Sequence, residues 1–201
     1  MISDTYKTID KSFGPEIFKD RKSKFLGYLF PLKNPDDVKE IIGVLKKEHH
    51  NARHWCYAYR IGIEKPEERA NDDGEPSNSA GTPILNQIKA KELTNVLVVV
   101  VRYFGGVKLG VGGLMNAYKT ATQFVLDEAT IVEKIRMKPL FLEFSYADMN
   151  KIMRIVKEYH LEIVHQEMNE KVNYTLNIRL SDFEKIKSSF EKIHTIDVKC
   201  E

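Results

Sequence analysis

An acidic segment and a glycine-rich segment hold the groups of this 201-residue sequence that could do chemistry. The acidic segment, residues 71–81, places Asp72, Asp73 and Glu75 within four positions. Carboxylates at this density could bind Mg²⁺ or Ca²⁺, or one of them could act as a general base, which makes all three candidate catalytic residues. A solvated turn is the alternative, since Asp, Gly, Pro, Ser and Asn are common turn formers. The spacing is not that of a calcium-binding helix–loop–helix site, so Asp72 and Asp73 are only weak candidate metal ligands.

The glycine-rich segment, residues 102–113, concentrates five of the eleven glycines between a predicted buried strand and a predicted helix. Backbone N–H groups in such a turn can converge on an anion at the start of the helix, with Arg102 and Lys108 supplying charge. The segment is neither a dinucleotide fingerprint nor a triphosphate-binding loop, because Gly110 is followed by Val111 rather than lysine. Glycines required only for tight backbone turns against the sheet are the alternative interpretation.

Histidine and aromatic residues precede and occupy a predicted strand at residues 54–61. His49, His50 and His54 raise the question of zinc, but adjacent histidines cannot share a helix face and the chain has no HExxH pattern. Trp55, Tyr57 and Tyr59 could stack on bases, although aromatic residues that alternate along a strand more often fill a core.

Composition and charge exclude several classes of protein. The 31 basic and 29 acidic residues give a formal net charge of +2, so no strong electrostatic field is available. The longest apolar run, residues 96–101, is far shorter than the roughly 20 residues of a membrane-spanning helix. Two cysteines form neither a disulfide framework nor a zinc-ligand set. The amino terminus lacks the pattern of a secretory signal, which favours a cytoplasmic protein.

Hydrophobic periodicity predicts a mixed α+β domain in the first two thirds of the chain. Asn34 is expected to cap the first helix, and residues 64–82 are expected to form a loop of about nineteen residues. Residues 96–101 are continuously apolar, which is typical of a strand buried on both faces. The predicted strands are residues 5–10, 16–20, 24–32, 54–61 and 96–101, and the predicted helices are residues 34–47, 82–89 and 114 to about 129–134.

The last third of the chain predicts a separate βαββαβ unit. Strands are expected at residues 140–145, 161–166, 172–180 and 195–199, with helices at residues 148–159 and from a capping box at residues 181–184. This order within about 65 residues is that of the ferredoxin-like fold.

Four ordered blocks of sequence carry a family resemblance. They are residues 54–60 (HWCYAYR), 72–77 (DDGEPS), 80–85 (AGTPIL) and 102–114 (RYFGGVKLGVGGL). Together with residues 23–25 (SKF), they resemble the bacterial YigZ and eukaryotic Impact family over nearly all of residues 1–134. Two positions depart from the family pattern, because Asn78-Ser79 stands where Gly-Thr is common and Thr82 where a basic residue is common.

The resemblance implies both fold and function. Residues 1–134 are expected to resemble the second domain of ribosomal protein S-five, and residues 138–201 the last domain of elongation factor G. Eukaryotic Impact proteins regulate translation under amino-acid stress by competing for a protein partner of the initiation-factor kinase pathway. The S-five-like fold is shared by translation proteins and small-molecule kinases, so the fold alone does not choose a function.

Three hypotheses for the function follow. The first is a translation-associated regulatory protein that binds RNA, the ribosome or a translation factor in a groove between residues 72–81 and 102–113. The second is a metal-dependent hydrolase or transferase acting on a phosphorylated or nucleotide-like small molecule, and the third is a purely structural interaction module. No cofactor is predicted, and catalysis and oligomeric state stay open. The candidate ligand-binding residues are Arg60, Ser77, Arg102, Gly105, Gly106, Lys108, Gly110, Gly112 and Gly113.

Overall fold

The computed structural model describes residues 4–200, which divide into two compact units. One unit is Tyr6–Lys134, and the other comprises residues 4–5 and 135–200. We propose that they correspond to the Impact-type domain and the ferredoxin-like domain expected at residues 1–134 and 138–201. No helix within residues 4–200 has the length and apolar character needed to cross a membrane.

The first unit is built around a five-stranded sheet with the strand order β2-β3-β6-β4-β5, and every neighbouring pair is antiparallel. A separate two-stranded sheet joins β1 and β7. The strands are β1 (Thr5–Thr8), β2 (Phe13–Asp20), β3 (Ser23–Pro31), β4 (His54–Ile61), β5 (Glu67–Asn71), β6 (Val96–Tyr103) and β7 (Val132–Ile135). The helices are α1 (Asp37–Glu48), α2 (Gly81–Ala90) and α3 (Gly110–Glu128).

The central strand β6 is buried on both faces, as its continuous apolar sequence predicts. Val96, Val98 and Val100 belong to a core that α2 and α3 complete. The alternate residues Leu97, Val99 and Val101 belong to a second core, on the face that α1 covers. Strand β4 alternates in the predicted way, with Cys56 and Ala58 in the first core and Tyr59 in the second.

The predicted loop at residues 64–82 is wrong in part, because β5 occupies five of its residues. Strand β5 pairs with β4 at the edge of the sheet, and its side chains are mostly exposed. An edge strand without a buried face shows no apolar alternation, so periodicity cannot detect it. The irregular parts of the segment are therefore residues 64–66, before β5, and residues 72–80, between β5 and α2.

The predicted ends of three helices also need correction. Helix α1 begins at Asp37, and the side chain of Asn34 accepts a hydrogen bond from the backbone N–H of Asp36 at 3.0 Å in the turn before it. Helix α3 begins at Gly110, four residues before its apolar stripe, and after it ends the chain forms β7. In the second unit, helix α5 (Phe183–Glu191) begins without the side-chain cap that the capping box predicts.

The second unit has the predicted βαββαβ order and ferredoxin-like topology. Its sheet has the order β11-β8-β10-β9 with antiparallel pairs, and α4 and α5 contribute Ile152, Ile186 and Phe190 to its core. Single 3₁₀ turns, Tyr146–Asp148 and Leu180–Asp182, precede the two helices. The elements are β8 (Met137–Phe144), α4 (Met149–Glu158), β9 (Glu162–Met168), β10 (Val172–Arg179), α5 (Phe183–Glu191) and β11 (Asp197–Lys199).

Candidate functional site

A cavity of about 730 Å³ lies in the first unit, between the irregular loop and the glycine-rich segment. His54 of β4, Glu75 of the loop, Arg102 of β6 and Lys108 contribute to its wall, together with the first turn of α3. Strand pairing explains this convergence. His54 pairs with Arg102 across β4 and β6, and Asn71 at the end of β5 pairs with Tyr57, so the loop leaves the sheet at the same end.

A buried ion pair closes the inner wall of the cavity. The Arg102 guanidinium donates from Nη1 to Glu75 Oε1 at 2.6 Å, and the two side chains are only 6% and 4% exposed. The Tyr118 hydroxyl of α3 donates to the same oxygen at 2.8 Å. Burial raises the pKa of Tyr118, which keeps the proton that the hydroxyl donates. The main role of Glu75 in this structure is therefore to neutralise the buried guanidinium of Arg102.

Aromatic rings flank the Arg102 guanidinium. Its central carbon lies 5.4 Å from the ring centroids of both Phe25 and Phe104. The Arg102 Nε is buried without a hydrogen-bond partner. Among residues 4–200, Glu75 is the carboxylate that pairs with the guanidinium. Phe25 is fully buried, whereas Phe104 is 48% exposed at the mouth of the cavity.

His54 enters the cavity in one defined orientation. Its Nδ1 lies 2.9 Å from the carbonyl oxygen of Asp73, which can only accept, so Nδ1 carries a proton. The other ring nitrogen, Nε2, faces Glu75 Oε1 at 3.8 Å. His54 is thus held at the site by backbone that the acidic loop supplies.

The three neighbouring histidines do not form a metal cluster. His49 lies between two tyrosine hydroxyls, at 2.5 Å from Tyr28 and 2.9 Å from Tyr103. His50 contacts the side chain of Asn51, and His54 alone lines the cavity. Within residues 4–200, no group of three or more His, Cys, Asp or Glu side chains is arranged to hold a metal ion.

Asp72 is committed to holding its own loop. Its Oδ1 accepts the backbone N–H groups of Ala80 and Gly81 at 2.9 and 2.8 Å, and its Oδ2 accepts that of Asn78 at 2.8 Å. These contacts satisfy donors at the start of α2 and place a negative charge at the positive end of its dipole. Asn78 adopts φ 61°, a left-handed conformation that asparagine tolerates better than most residues.

Asp73 likewise fastens the loop to the sheet. Its Oδ2 accepts the backbone N–H of Trp55 at 2.7 Å, while Lys46 Nζ lies 3.7 Å from Oδ1. Cys56 lies next to these contacts, with Sγ 3.0 Å from the carbonyl oxygen of Asp72. Burial raises the pKa of the Cys56 thiol, so the thiol stays protonated.

Two predicted ligand-binding residues lie away from the cavity. Arg60 is six residues along β4 from His54, about 20 Å at 3.3 Å per residue. Its Nη1 donates to the carbonyl oxygen of Leu93 at 3.1 Å, and Glu68 lies 3.2 Å from its Nε. Ser77 is exposed on the loop and contacts Asn78. The structure brings neither residue together with Arg102 and Lys108.

The predicted glycines have different roles. Gly105 crosses the backbone of Lys22 so closely that an added Cβ would overlap the Lys22 carbonyl group. Gly106 has φ 87°, in the left-handed region that favours glycine. Gly110, Gly112 and Gly113 form the first turn of α3, which has neither a side-chain cap nor an acidic residue in that turn.

Three residues of this site were not singled out from the sequence: Arg53, Phe104 and Tyr118. His54 was considered only as a zinc ligand. Tyr118 carried a signal in the sequence, since it is a tyrosine within the buried apolar stripe of α3. His54, Arg53 and Phe104 become visible only when β4 is placed opposite β6, because the pairing register brings both strand ends to the cavity.

Comparison with known proteins gives a consistent relationship. The model of the Impact N-terminal domain matches residues 21–126, a range that contains every residue of the cavity wall. The Bacillus subtilis protein "IMPACT family member YvyE" is 34% identical over 179 residues, which cover 89% of this chain and 79% of that protein. Escherichia coli "IMPACT family member YigZ" is 30% identical over 149 residues, with 73% of each chain covered.

A solved structure matches the whole chain. It is described as a hypothetical protein, has a TM-score of 0.74 and 22% sequence identity, and covers 99% of this chain and 98% of its own. This match establishes a shared fold. The rabbit "Protein IMPACT" is 38% identical over 96 residues, which are 45% of this chain and 30% of that protein.

Proposed function

Because this chain belongs to the Impact family, we propose that it is a translation-associated regulatory binding protein that uses the cavity beside Arg102 and Lys108. The resemblance to eukaryotic Impact proteins, which regulate translation, supports the functional class. The position of the cavity inside the matched range, residues 21–126, supports the choice of site. The partner would be RNA, a ribosomal site or a translation factor.

The observation that carries this proposal is the availability of binding groups at the cavity. Lys108 is exposed, and the first turn of α3 presents backbone N–H groups beside it. Helix amino termini and exposed cations favour negatively charged ligands. A formal net charge of only +2 argues against broad electrostatic wrapping of nucleic acid, so the contact would be local.

A metal-dependent enzyme fits the geometry less well. Both oxygens of Asp72 accept backbone N–H groups, Asp73 holds Trp55, and Glu75 neutralises Arg102. A carboxylate used in this way must give up a structural contact before it can bind a metal or accept a proton. The binding function is therefore the better supported of the two.

The test is co-sedimentation of the purified full chain with ribosomal particles in a density gradient, at low and high salt. We expect the wild-type protein to migrate with a particle at low salt. Lys108→Gln should reduce the bound fraction severalfold, while Lys39→Gln, which removes an exposed cation from α1 on the other face of the sheet, should leave it unchanged.

Two results would contradict the proposal. Equal binding by the Lys108 and Lys39 variants would remove the cavity as the site. Wild-type protein that stays at the top of the gradient at both salts, combined with Mg²⁺-dependent turnover of a phosphate ester library, would favour the enzyme.

A further inference from the structure

On the premise of that function, we infer that the partner at this cavity is a protein segment that presents an acidic side chain next to apolar ones. The cavity would take the acidic group. The apolar neighbours would pack on Phe104, Val107, Val111 and Met115, four exposed residues that we call the apolar lip.

Charge at the cavity favours an anionic group. Three cationic side chains, Arg53, Arg102 and Lys108, line the cavity, against the single carboxylate of Glu75. Glu75 is paired with Arg102, so the exposed cations Arg53 and Lys108 are left to attract a ligand.

The apolar lip favours a protein over a nucleic acid. Its members are 41–53% exposed, and Val111 and Met115 are one helical turn apart on α3, so their side chains are neighbours. Exposed groups of large apolar side chains mark protein–protein contacts. Single-stranded RNA is bound instead by aromatic stacking along a basic groove, and aliphatic side chains such as Val107, Val111 and Met115 offer a base no stacking surface.

The two features are joined at one place. Phe104 and Val111 line the cavity itself, together with Lys108. An acidic side chain in the cavity therefore places its sequence neighbours directly over the lip. Neither the cations nor the lip alone would select this pattern, so specificity comes from the combination.

Fluorescence anisotropy with defined probes tests this inference on the full chain. The probes are labelled twelve-residue peptides, each with one Asp, Glu or phosphoserine placed one to four positions from Leu or Met. Each peptide has a matched version with Asn, Gln or serine. A labelled twelve-nucleotide oligouridylate is the nucleic-acid probe.

We expect acidic peptides to bind about tenfold more tightly than their neutral versions. Lys108→Gln should weaken binding of the acidic peptides about tenfold and binding of the neutral peptides little. Such a difference is expected if Lys108 contacts the acidic side chain directly. The double variant Val111→Ser with Met115→Ser should weaken peptide binding by about tenfold or more.

The control variants are Lys39→Gln and Val44→Ser, exposed changes on α1, and they should have no effect on peptide affinity. All five altered residues are exposed. Trp55 fluorescence checks that each variant is folded.

Several outcomes would overturn the inference. The inference would be wrong if acidic and neutral peptides bound with equal affinity. It would also be wrong if the double variant Val111→Ser with Met115→Ser left peptide affinity unchanged. Oligouridylate binding that depends on Lys108 but not on the lip would assign the site to RNA and leave the proposed function standing. Failure of every peptide while ribosome co-sedimentation persists would reject the acidic segment alone, whereas failure of both would reject the proposed function as well.

Discussion

In the acidic loop, residues 72–80, the carboxylates of Asp72 and Asp73 accept backbone N–H groups of their own unit. In the glycine-rich segment, residues 102–113, Lys108 and Val111 lie exposed at the mouth of the same cavity. The acidic loop has three carboxylates within four positions of the sequence, more ionisable groups than the same length of the glycine-rich segment has. The segment has the groups that another molecule can reach.

The difference shows that a polar side chain can bind a ligand only if its donor or acceptor atoms are not already used within the protein. From the sequence, Asp72 is a candidate metal ligand or general base. In the structure its two oxygens accept hydrogen bonds from three backbone N–H groups. Buried backbone N–H groups need hydrogen-bond acceptors, and in this loop the carboxylates of Asp72 and Asp73 provide them. The loop therefore builds the wall of the cavity, and the segment supplies its contacts. Four changes test this division of roles.

The largest effect is expected for Glu75→Ala. It should lower the free energy of unfolding of the first unit by about 3–5 kcal/mol, because Arg102 would remain buried without its partner. Urea unfolding followed by the fluorescence of Trp55, the single tryptophan, reports on this unit. The control is Glu128→Ala, an exposed change at the end of α3. A loss below about 1 kcal/mol would mean that the loop does not hold Arg102 in place.

Gly105→Ala should cost about 1–3 kcal/mol, because the new Cβ would overlap the backbone of Lys22 and force the segment away from it. Its matched control is Gly112→Ala, whose Cβ meets no atom within 4 Å and which lies inside α3. This control should be neutral or stabilising by up to about 1 kcal/mol. Thermal or urea unfolding compares the two, and equal effects would refute the assigned contact.

Asp72→Asn should lower the free energy of unfolding by about 1–2 kcal/mol, since an amide has one acceptor oxygen and no charge for the start of α2. Asp127→Asn is the control, because Asp127 forms an exposed ion pair with Lys91. That pair is expected to contribute less than about 1 kcal/mol. Ligand affinity should change little in a folded Asp72→Asn protein. A large loss of affinity with unchanged stability would instead give the loop carboxylate a direct role at the ligand.

The smallest effect on stability is expected for Lys108→Gln. This exposed residue should change the free energy of unfolding by less than about 0.5 kcal/mol while the bound fraction in the ribosome gradient falls. Urea unfolding followed by Trp55 fluorescence measures the stability, and the density gradient measures the bound fraction. If stability fell as much as binding did, Lys108 would be a structural residue like those of the acidic loop.

Local patterns in the sequence predicted most of the fold. Residues 54–61 alternate and residues 96–101 are continuously apolar, and both form the expected strands. The βαββαβ order of the second unit was also predicted, because each element buries an apolar face that appears in a short stretch of sequence. Strand β5 was not predicted, since its side chains face solvent and its backbone pairs with β4.

The candidate site was predicted less completely. Arg102, Lys108, Gly110 and Glu75 line the cavity. The other predicted ligand-binding residues do not line it: Arg60, Ser77, Gly105, Gly106, Gly112 and Gly113. His54 and Tyr118 join the site through partners that are distant in the chain. Residue types therefore pointed to the two segments that meet at this cavity, but not to the contacts that each residue makes there.

The sequence by itself determined most of the elements, the α+β fold class and the family, because apolar periodicity and short motifs are properties of neighbouring residues. Only the tertiary structure decided which charged groups are free. The partner of Glu75 is 27 residues away on β6, and the hydroxyl that shares it is 43 residues away on α3. Whether a carboxylate does chemistry or holds the fold depends on such contacts, and strand register and helix packing set them.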